Sequence, residues 1–404
     1  MIEQILPLEL TPDTEITHRI HQLKKQMEAA GMAGVFLTHR PDIYYFSGTA
    51  QDSWLYVPQD RDPLVFVRRY LPRARLESPL ANVIPIDSVT EIPAMIRDLH
   101  GKLPQTMGLA FDLVPVRDYK FYQSLFFGTK FLDTTPLIDK CRAVKSEFEI
   151  NKMKTAAKVS EQVFGFIKKQ MTAGMSETEL AGSMEAFART LGHSGKIQMR
   201  HYRSVGFSHH IMSGEAGGLP GALDSPVCGT GTCTAYPFGA GPRLIKKNEP
   251  VLIDFACMVD GYHMDESRTF CIGDMADEAE ATSLAAIEIL EQLRAAMKPG
   301  AVIGDLFDMS VNMAGQMGYT KQYLGVPGLK SRFVGHGIGL ELVENPVLAK
   351  GRSAVLEPGM VFAVEPKFIF KGRFATGVES VVLVTETGSC FLSRTPNTVF
   401  RVCG

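Results

Sequence analysis

Two short apolar stretches each carry a pair of acids that a buried strand does not ordinarily tolerate. In "VLIDFACMVDGYHMDESRTF", residues 251–270, Asp254 and Asp265 lie on either side of Asp260-Gly261. An Asp-Gly pair between apolar runs signals a two-residue hairpin, because both positions accept positive φ. That turn pairs Val259 with Tyr262 and sets Asp254 opposite Ser267. Asp265 then shares a face with Asp254, diagonally across the ladder, at about 7–8 Å between Cα atoms. The second stretch, "VFAVEPKFIFKGRFATGVESVVLV", reads as a hairpin centred on Gly372, which sets Glu365 opposite Glu379. Carboxylates facing one another on buried strands repel and lose hydration. The usual remedies are a shared proton, paired cations or metal ions.

Between the hairpins, "FVGHGIGLELVENP" surrounds His336 with Gly335, Gly337 and Gly339. Glycines let a backbone approach a neighbour closely, and an imidazole there is a good metal ligand. Four carboxylates and one imidazole suit Mn²⁺, Co²⁺, Fe²⁺ or Zn²⁺, and bridging carboxylates suit two ions about 3.5–4 Å apart. The expected cofactor is therefore a pair of divalent ions. Taken singly, each residue has a plainer explanation: a turn aspartate, an edge-strand glutamate, a satisfied core histidine. Their combination, in this order and with these flanks, points to a metal centre.

The elements that must position these groups occupy the second part of the chain. Ser146 with Glu149, and Ser176 with Glu179, form capping boxes that open two helices. Ile150, Met153, Ala157, Phe164 and Ile167 mark the apolar stripe of the first. Leu180, Met184, Phe187 and Leu191 mark that of the second, which Gly192 ends. Gly174 and Gly192 recur at Gly300 and Gly318 with one offset of 126 residues. Each half is then a helix pair with strands, and a cleft between two such halves is a natural site. Residues 1–140 read as a separate α/β unit. A helix is expected over 14–30, then "GVFLTHRPDIYYFSG" as a strand, a Pro-Asp turn and an aromatic strand, with further strands at "PLVFVRR" and "MGLAFD". The expected domains are 1–140 and 141–404.

Composition agrees with a large-cored globular chain. Of its 404 residues, 45% are hydrophobic and 21% charged, with a net charge of −2. That balance favours neither nucleic acid nor an anionic membrane as partner. Seven scattered cysteines without a CxxC pair point to a reducing compartment. The acidic N-terminus lacks the pattern of a signal peptide, and no apolar run is long enough to cross a bilayer. A cytoplasmic location is expected. The glycine-rich "GTGTC" lacks the strand–helix setting of a nucleotide loop.

The motifs "VLIDFACMVDGYHMDESRTF", "GHGIGLELVENP", "VFAVEP" and "GVES" resemble the metal-dependent Xaa-Pro aminopeptidase, prolidase and methionine aminopeptidase family (M24 type). "RAVKSEFEI" looks like that family's domain opening, and "GVFLTHRPDIYYFSG" resembles a creatinase/prolidase-type N-terminal domain. The resemblance covers nearly the whole chain. It implies an α/β chain with that N-terminal domain and a C-terminal pita-bread domain of pseudo-twofold halves. By motif, Asp254 would chelate the first ion and Asp265 and Glu379 would bridge. His336 and Glu365 would hold the second ion, with Glu365 shuttling the proton of a bridging hydroxide. An aminopeptidase or dipeptidase acting on short peptides is implied, in a homodimer. The alternative is a non-peptidase hydrolase or lyase acting on a small molecule. A binding module without catalysis comes last, since all five ligand positions are kept.

Three positions depart from the family. Gly221 and Val343 stand where substrate-handling histidines belong, and Gly377 stands in an arginine's place. Poor turnover of Xaa-Pro dipeptides is therefore expected. His210 and Tyr236 are candidate substitutes, with His263, which shares strand parity with Asp265. Neighbouring His209 is another, and the segment Asp224–Gly241 is expected to reach the cleft.

Overall fold

The computed structural model describes residues 9–402, apart from 202, 205, 207, 208, 222 and 224. The chain divides into two compact units, Met1–Arg142 and Ala143–Gly404.

The first unit is built on a six-stranded sheet. Its strands run in the order Val83–Pro85, Leu64–Val67, Ser53–Pro58, Gly34–Leu37, Thr106–Leu109 and Lys130–Asp133. Pairing is antiparallel around Ser53–Pro58 and parallel toward both edges. Helices Asp13–Ala29, Ile92–His100 and Val116–Leu125 accompany it. One expectation fails here: "RPDIYYFS" is a helix, Arg40–Ser47, and not a turn with a strand. Pro41 suits the first helical turn, where its missing N–H is not needed. Asp42 in that turn accepts from Arg142 at 2.8 Å, and Ile43 and Phe46 bury one face. Gly48, at φ +79°, closes the helix.

The second unit repeats one plan twice. Helix Glu147–Gln170 precedes Glu177–Thr190, and helix Asp277–Ala296 precedes Ile303–Gln316. The ends of both helices and the start of the shorter one recur 126 residues on, as the glycine spacing predicts, while the longer helix starts 130 residues on. Both capping boxes form, with Ser146 and Ser176 accepting from the amides of Glu149 and Glu179. Each helix pair covers strands. Phe164 of the long first helix packs on Phe255 and stacks on Phe270. One sheet runs Phe400–Val402, Tyr262–Ile272, Val251–Val259, His209–Ser213. The other runs Glu344–Ala349, Phe333–Gly337, Val361–Val364, Ser380–Val384, Ser389–Phe391. Reciprocal backbone bonds between Ser267 and Glu379, at 3.2 and 3.0 Å, join the sheets. The acids from both hairpins meet at that join.

Candidate metal centre

The first hairpin folds as its Asp-Gly turn requires. Asp260 and Gly261 both take positive φ, +51° and +85°. The ladder pairs Val259 with Tyr262, Asp254 with Ser267 and Ala256 with Asp265. Period-two alternation then sends Asp265 and Glu266 to opposite faces. Both are buried, but their surroundings differ. Glu266 accepts from Ser160 Oγ at 2.6 Å, Arg268 Nη2 at 3.2 Å and Thr395 Oγ1 at 3.3 Å. Asp265 Oδ1 is buried, and no donor among the described residues reaches it. A buried carboxylate oxygen left so is rare in a folded protein.

The second hairpin keeps its expected register but breaks in the middle. Val364 pairs with Ser380 on one side of the break and Lys367 with Gly377 on the other, both consistent with a centre at Gly372. Between them Pro366 has no N–H to donate. The Glu365 amide turns instead to the Val334 carbonyl at 2.9 Å, and Glu379 pairs with Ser267. The two glutamates are thereby aimed at Asp254 and Asp265 of the first hairpin.

His336 comes from the strand Phe333–Gly337. Its Nδ1 meets the Gly337 carbonyl at 3.0 Å. A carbonyl only accepts, so Nδ1 carries the proton and Nε2 keeps its lone pair for a cation. Nε2 lies 3.9 Å from Asp265 Oδ2 and 4.0 Å from Glu365 Oε1. Burial lowers the His336 pKa, which favours that neutral form.

All five expected ligands therefore converge, and a sixth side chain joins them. Lys367, only 1% exposed, projects its ammonium among the carboxylates. Nζ donates to Asp254 Oδ2 at 2.8 Å, Glu365 Oε2 at 2.8 Å and Glu379 Oε2 at 2.9 Å. An ammonium has three protons, and each has a carboxylate. Ser267 Oγ adds a fourth donor to the group, at 2.7 Å from Glu379 Oε2. Burial by itself would lower the Lys367 pKa. Asp254, Glu365 and Glu379 overcome it and hold the group well above its ordinary value. Burial likewise raises Asp265, with Glu379 and Asp254 adding to it. Glu365 is raised by burial against the pull of Lys367, and Glu379 is pushed up to about 7. Asp254 is the exception: Lys367 and His210 outweigh burial and lower it.

The fit to metal can be read from these contacts. Asp265, His336 and Glu379 each offer one ligand atom within 4.8 Å of the others. With the unmet Asp265 Oδ1, that set suits one divalent ion of the oxygen–nitrogen class. Two ions sharing all four carboxylates do not fit this arrangement. A second ion on Asp254 and Glu379 would have to compete for Asp254 Oδ2 and Glu379 Oε2, which already accept from the Lys367 ammonium at 2.8 and 2.9 Å.

The substrate candidates separate. His210 lies opposite Asp254 in the ladder, with Nδ1 3.9 Å from Asp254 Oδ2. His263 is fully buried and uses both ring nitrogens on backbone: Nε2 accepts from the Gln198 amide at 3.0 Å and Nδ1 donates to the Gly339 carbonyl at 2.9 Å. It fastens the glycine-rich segment and has no ring nitrogen to offer a substrate in this arrangement. Tyr236 packs on Phe238 with ring centroids 4.3 Å apart. It lines a cavity of about 360 Å³ with Glu185, Ile197 and His209, which none of the five expected ligands borders. Asp224 lies outside the described residues. The remainder of its segment is anchored at the far end by Gly241, whose amide donates to Glu177 at 2.9 Å. At Gly221 a Cβ would lie 2.0 Å from Cys228 Sγ, so the cysteine occupies the space a histidine would need.

Lys367 was not anticipated from the sequence, although a signal existed. It lies two residues from Glu365 and opens "KFIF", so its parity matches that of the acid in an otherwise apolar strand.

Comparison with known proteins agrees with this architecture. The model of metallopeptidase family M24 matches residues 151–386, and that of the creatinase/prolidase N-terminal domain matches residues 19–144. An uncharacterized peptidase of Bacillus subtilis, YqhT, is 23% identical over 380 residues, covering 94% of this chain and 98% of the relative. The Xaa-Pro dipeptidase of Pyrococcus furiosus is 23% identical over 386 residues, covering 93% and 98%. Among solved structures, an Xaa-Pro dipeptidase from Bacillus anthracis superposes with a TM-score of 0.83 at 23% identity, covering 96% of this chain and all of that one. The fold is thus the α/β architecture expected, with a creatinase/prolidase-type N-terminal domain and a pita-bread domain.

Proposed function

The chain belongs to metallopeptidase family M24, and on that footing we propose that it hydrolyses short peptides at the Asp265–His336–Glu365–Glu379 centre. The observation that carries this reading is the convergence of buried Asp265, Glu365, Glu379 and His336 with the partly buried Asp254, with Asp265 Oδ1 unmet among the described residues. Asp265, His336 and Glu379 would hold a divalent ion, with Mn²⁺, Co²⁺, Fe²⁺ and Zn²⁺ the candidates. Such an ion polarises a carbonyl and lowers the pKa of water bound to it. Glu365 is the candidate acid–base group. Its pKa is raised by burial, so it can accept a proton as water adds to the carbonyl carbon. The C–N bond then breaks, and the same proton goes to the leaving nitrogen. Lys367 orients Glu365 through Oε2, which leaves Oε1 facing His336. His210, beside Asp254, is the first candidate for a substrate contact.

A second reading, hydrolysis of a non-peptide amide or another small molecule, is favoured by Lys367 in the cluster and by Gly221, Val343 and Gly377. On either reading Xaa-Pro dipeptides are poor substrates. We further propose the functional division 1–140 and 141–404, a homodimer and a cytoplasmic location. Among the described residues no helix is long and apolar enough to cross a membrane. The test is a panel of short peptides, with and without proline, assayed with Mn²⁺ and after chelation. Metal-dependent release of an N-terminal residue is expected, with Xaa-Pro substrates slow, and Asp265→Ala abolishing it. Unchanged turnover in Asp265→Ala would refute the proposed centre. Efficient Xaa-Pro cleavage would refute the specificity.

A further inference from the structure

We infer that the Lys367 ammonium is a resident cation standing in for one of two metal ions, so that the centre takes a single divalent ion per chain. The inference rests on the metal-binding reading above and deepens it. Three observations carry it. The first is saturation: Nζ makes three charge-assisted bonds of 2.8–2.9 Å to Asp254, Glu365 and Glu379, using every proton it has. A lysine merely passing the site would leave a donor for water. The second is the distribution of unmet groups. The carboxylates that Lys367 touches have a cation, whereas Asp265, which it does not touch, has an oxygen that no described donor reaches. One cation position is therefore filled by protein, and the other lies at Asp265, His336 and Glu379.

The third observation is the room made for the lysine. Lys367 pairs across the short ladder with Gly377. A Cβ on Gly377 would lie 2.6 Å from Lys367 Cγ, too close for the stem to keep its place, and 3.1 Å from its Cα, a tight contact. The bare glycine lets the aliphatic stem lie flat against the opposite strand and enter the cluster. Lys367 and Gly377 thus form a matched pair, and the absence of a side chain at 377 has a positive role. An ammonium is a point charge with fixed reach and no open coordination position, so it neutralises carboxylates without activating water. This half of the centre serves to hold Asp254, Glu365 and Glu379 in place, while Lewis acidity belongs to the other half.

The experiment is a metal count. Wild-type protein and Lys367→Gly are stripped with chelator, dialysed against excess Mn²⁺, separated from free ion and analysed for manganese per chain. One ion in the wild type and two in Lys367→Gly are expected. Two ions in the wild type overturn the inference and leave the metallohydrolase reading standing, as does one ion in both proteins. No ion in the wild type overturns both. The wild-type count stands alone if the variant fails to fold. Gly377→Ala gives an independent reading. Displacement of the lysine stem there should raise Mn²⁺ uptake above one, and an unchanged count in a folded variant contradicts the matched pair.

Discussion

The two hairpins bring the same kind of cargo, a pair of carboxylates, by different means. Val251–Ile272 is an unbroken ladder with a two-residue turn, and its acids lie diagonally on one face. Val361–Val384 is broken at Glu365-Pro366 and Val378-Glu379, and its halves belong to different sheets. The continuous ladder fixes positions by repetition and leaves Asp265 without a local partner. The broken ladder turns its glutamates toward the first hairpin, which lets Lys367, the first residue of the strand after the break, follow them into the cluster. Regular structure supplies the need for a cation here, and irregular structure supplies part of the answer.

The largest expected effect separates the chemistry from the scaffold. Glu365→Gln should lower kcat by about 10²–10⁴, as loss of a general acid–base group does, with little change in Tm. An active Glu365→Gln would move the proton-transfer role elsewhere. Next comes Lys367→Met, which removes the shared cation and leaves the buried Glu365 and Glu379 and the partly buried Asp254 without it. Breaking a buried pair from one side costs about 3–5 kcal/mol, to be read as a lower midpoint in urea. A midpoint unchanged from wild type would show that the ammonium does not hold the broken hairpin.

The pH dependence of metal-free protein tests the same region. Glu379 is raised from an ordinary 4.5 to about 7, so the folded state binds its proton more tightly than the unfolded state. That contribution is complete at low pH and is lost as pH rises from 4.5 through 7. It amounts to at most about 3 kcal/mol. Tm of the stripped protein should therefore fall between pH 5 and 8, and Mn²⁺ should suppress the fall. A flat profile would contradict the buried, crowded carboxylate.

Adjacent acids in the continuous hairpin should respond in opposite directions. Asp265→Asn removes a buried charge with an unmet oxygen and should raise Tm of stripped protein while abolishing activity. Glu266→Gln disturbs a satisfied network and should lower stability by about 1–3 kcal/mol. Like-signed shifts would erase the distinction between them. The smallest effect is expected at the turn. Gly261→Val forces a β-branched residue to φ +85° and should cost about 1–2 kcal/mol.

The parts legible in the sequence were those governed by local rules. Asp260-Gly261 fixed a nine-pair register, two Ser-x-x-Glu boxes placed helix starts, and recurring glycines gave the 126-residue offset. "DIYYFS" misled because its aromatic and β-branched residues favour strands. Tertiary contacts through Asp42, Ile43 and Phe46 made it a helix. The role of Lys367 depended on facts with no local signature: the separation of the two half-ladders, the bare Gly377 opposite, and the arrival of Asp254 from over a hundred residues away. His263 shows the converse. Its parity was read correctly, yet Gln198 and Gly339, distant in sequence, take both its nitrogens.

Anomalous diffraction from crystals grown with Mn²⁺ would separate a single-ion centre from a two-ion one. One manganese peak is expected among Asp265, His336 and Glu379, with Lys367 Nζ still in hydrogen-bond reach of Asp254, Glu365 and Glu379. Two peaks sharing all four carboxylates, with the lysine turned out of the cluster, would contradict it.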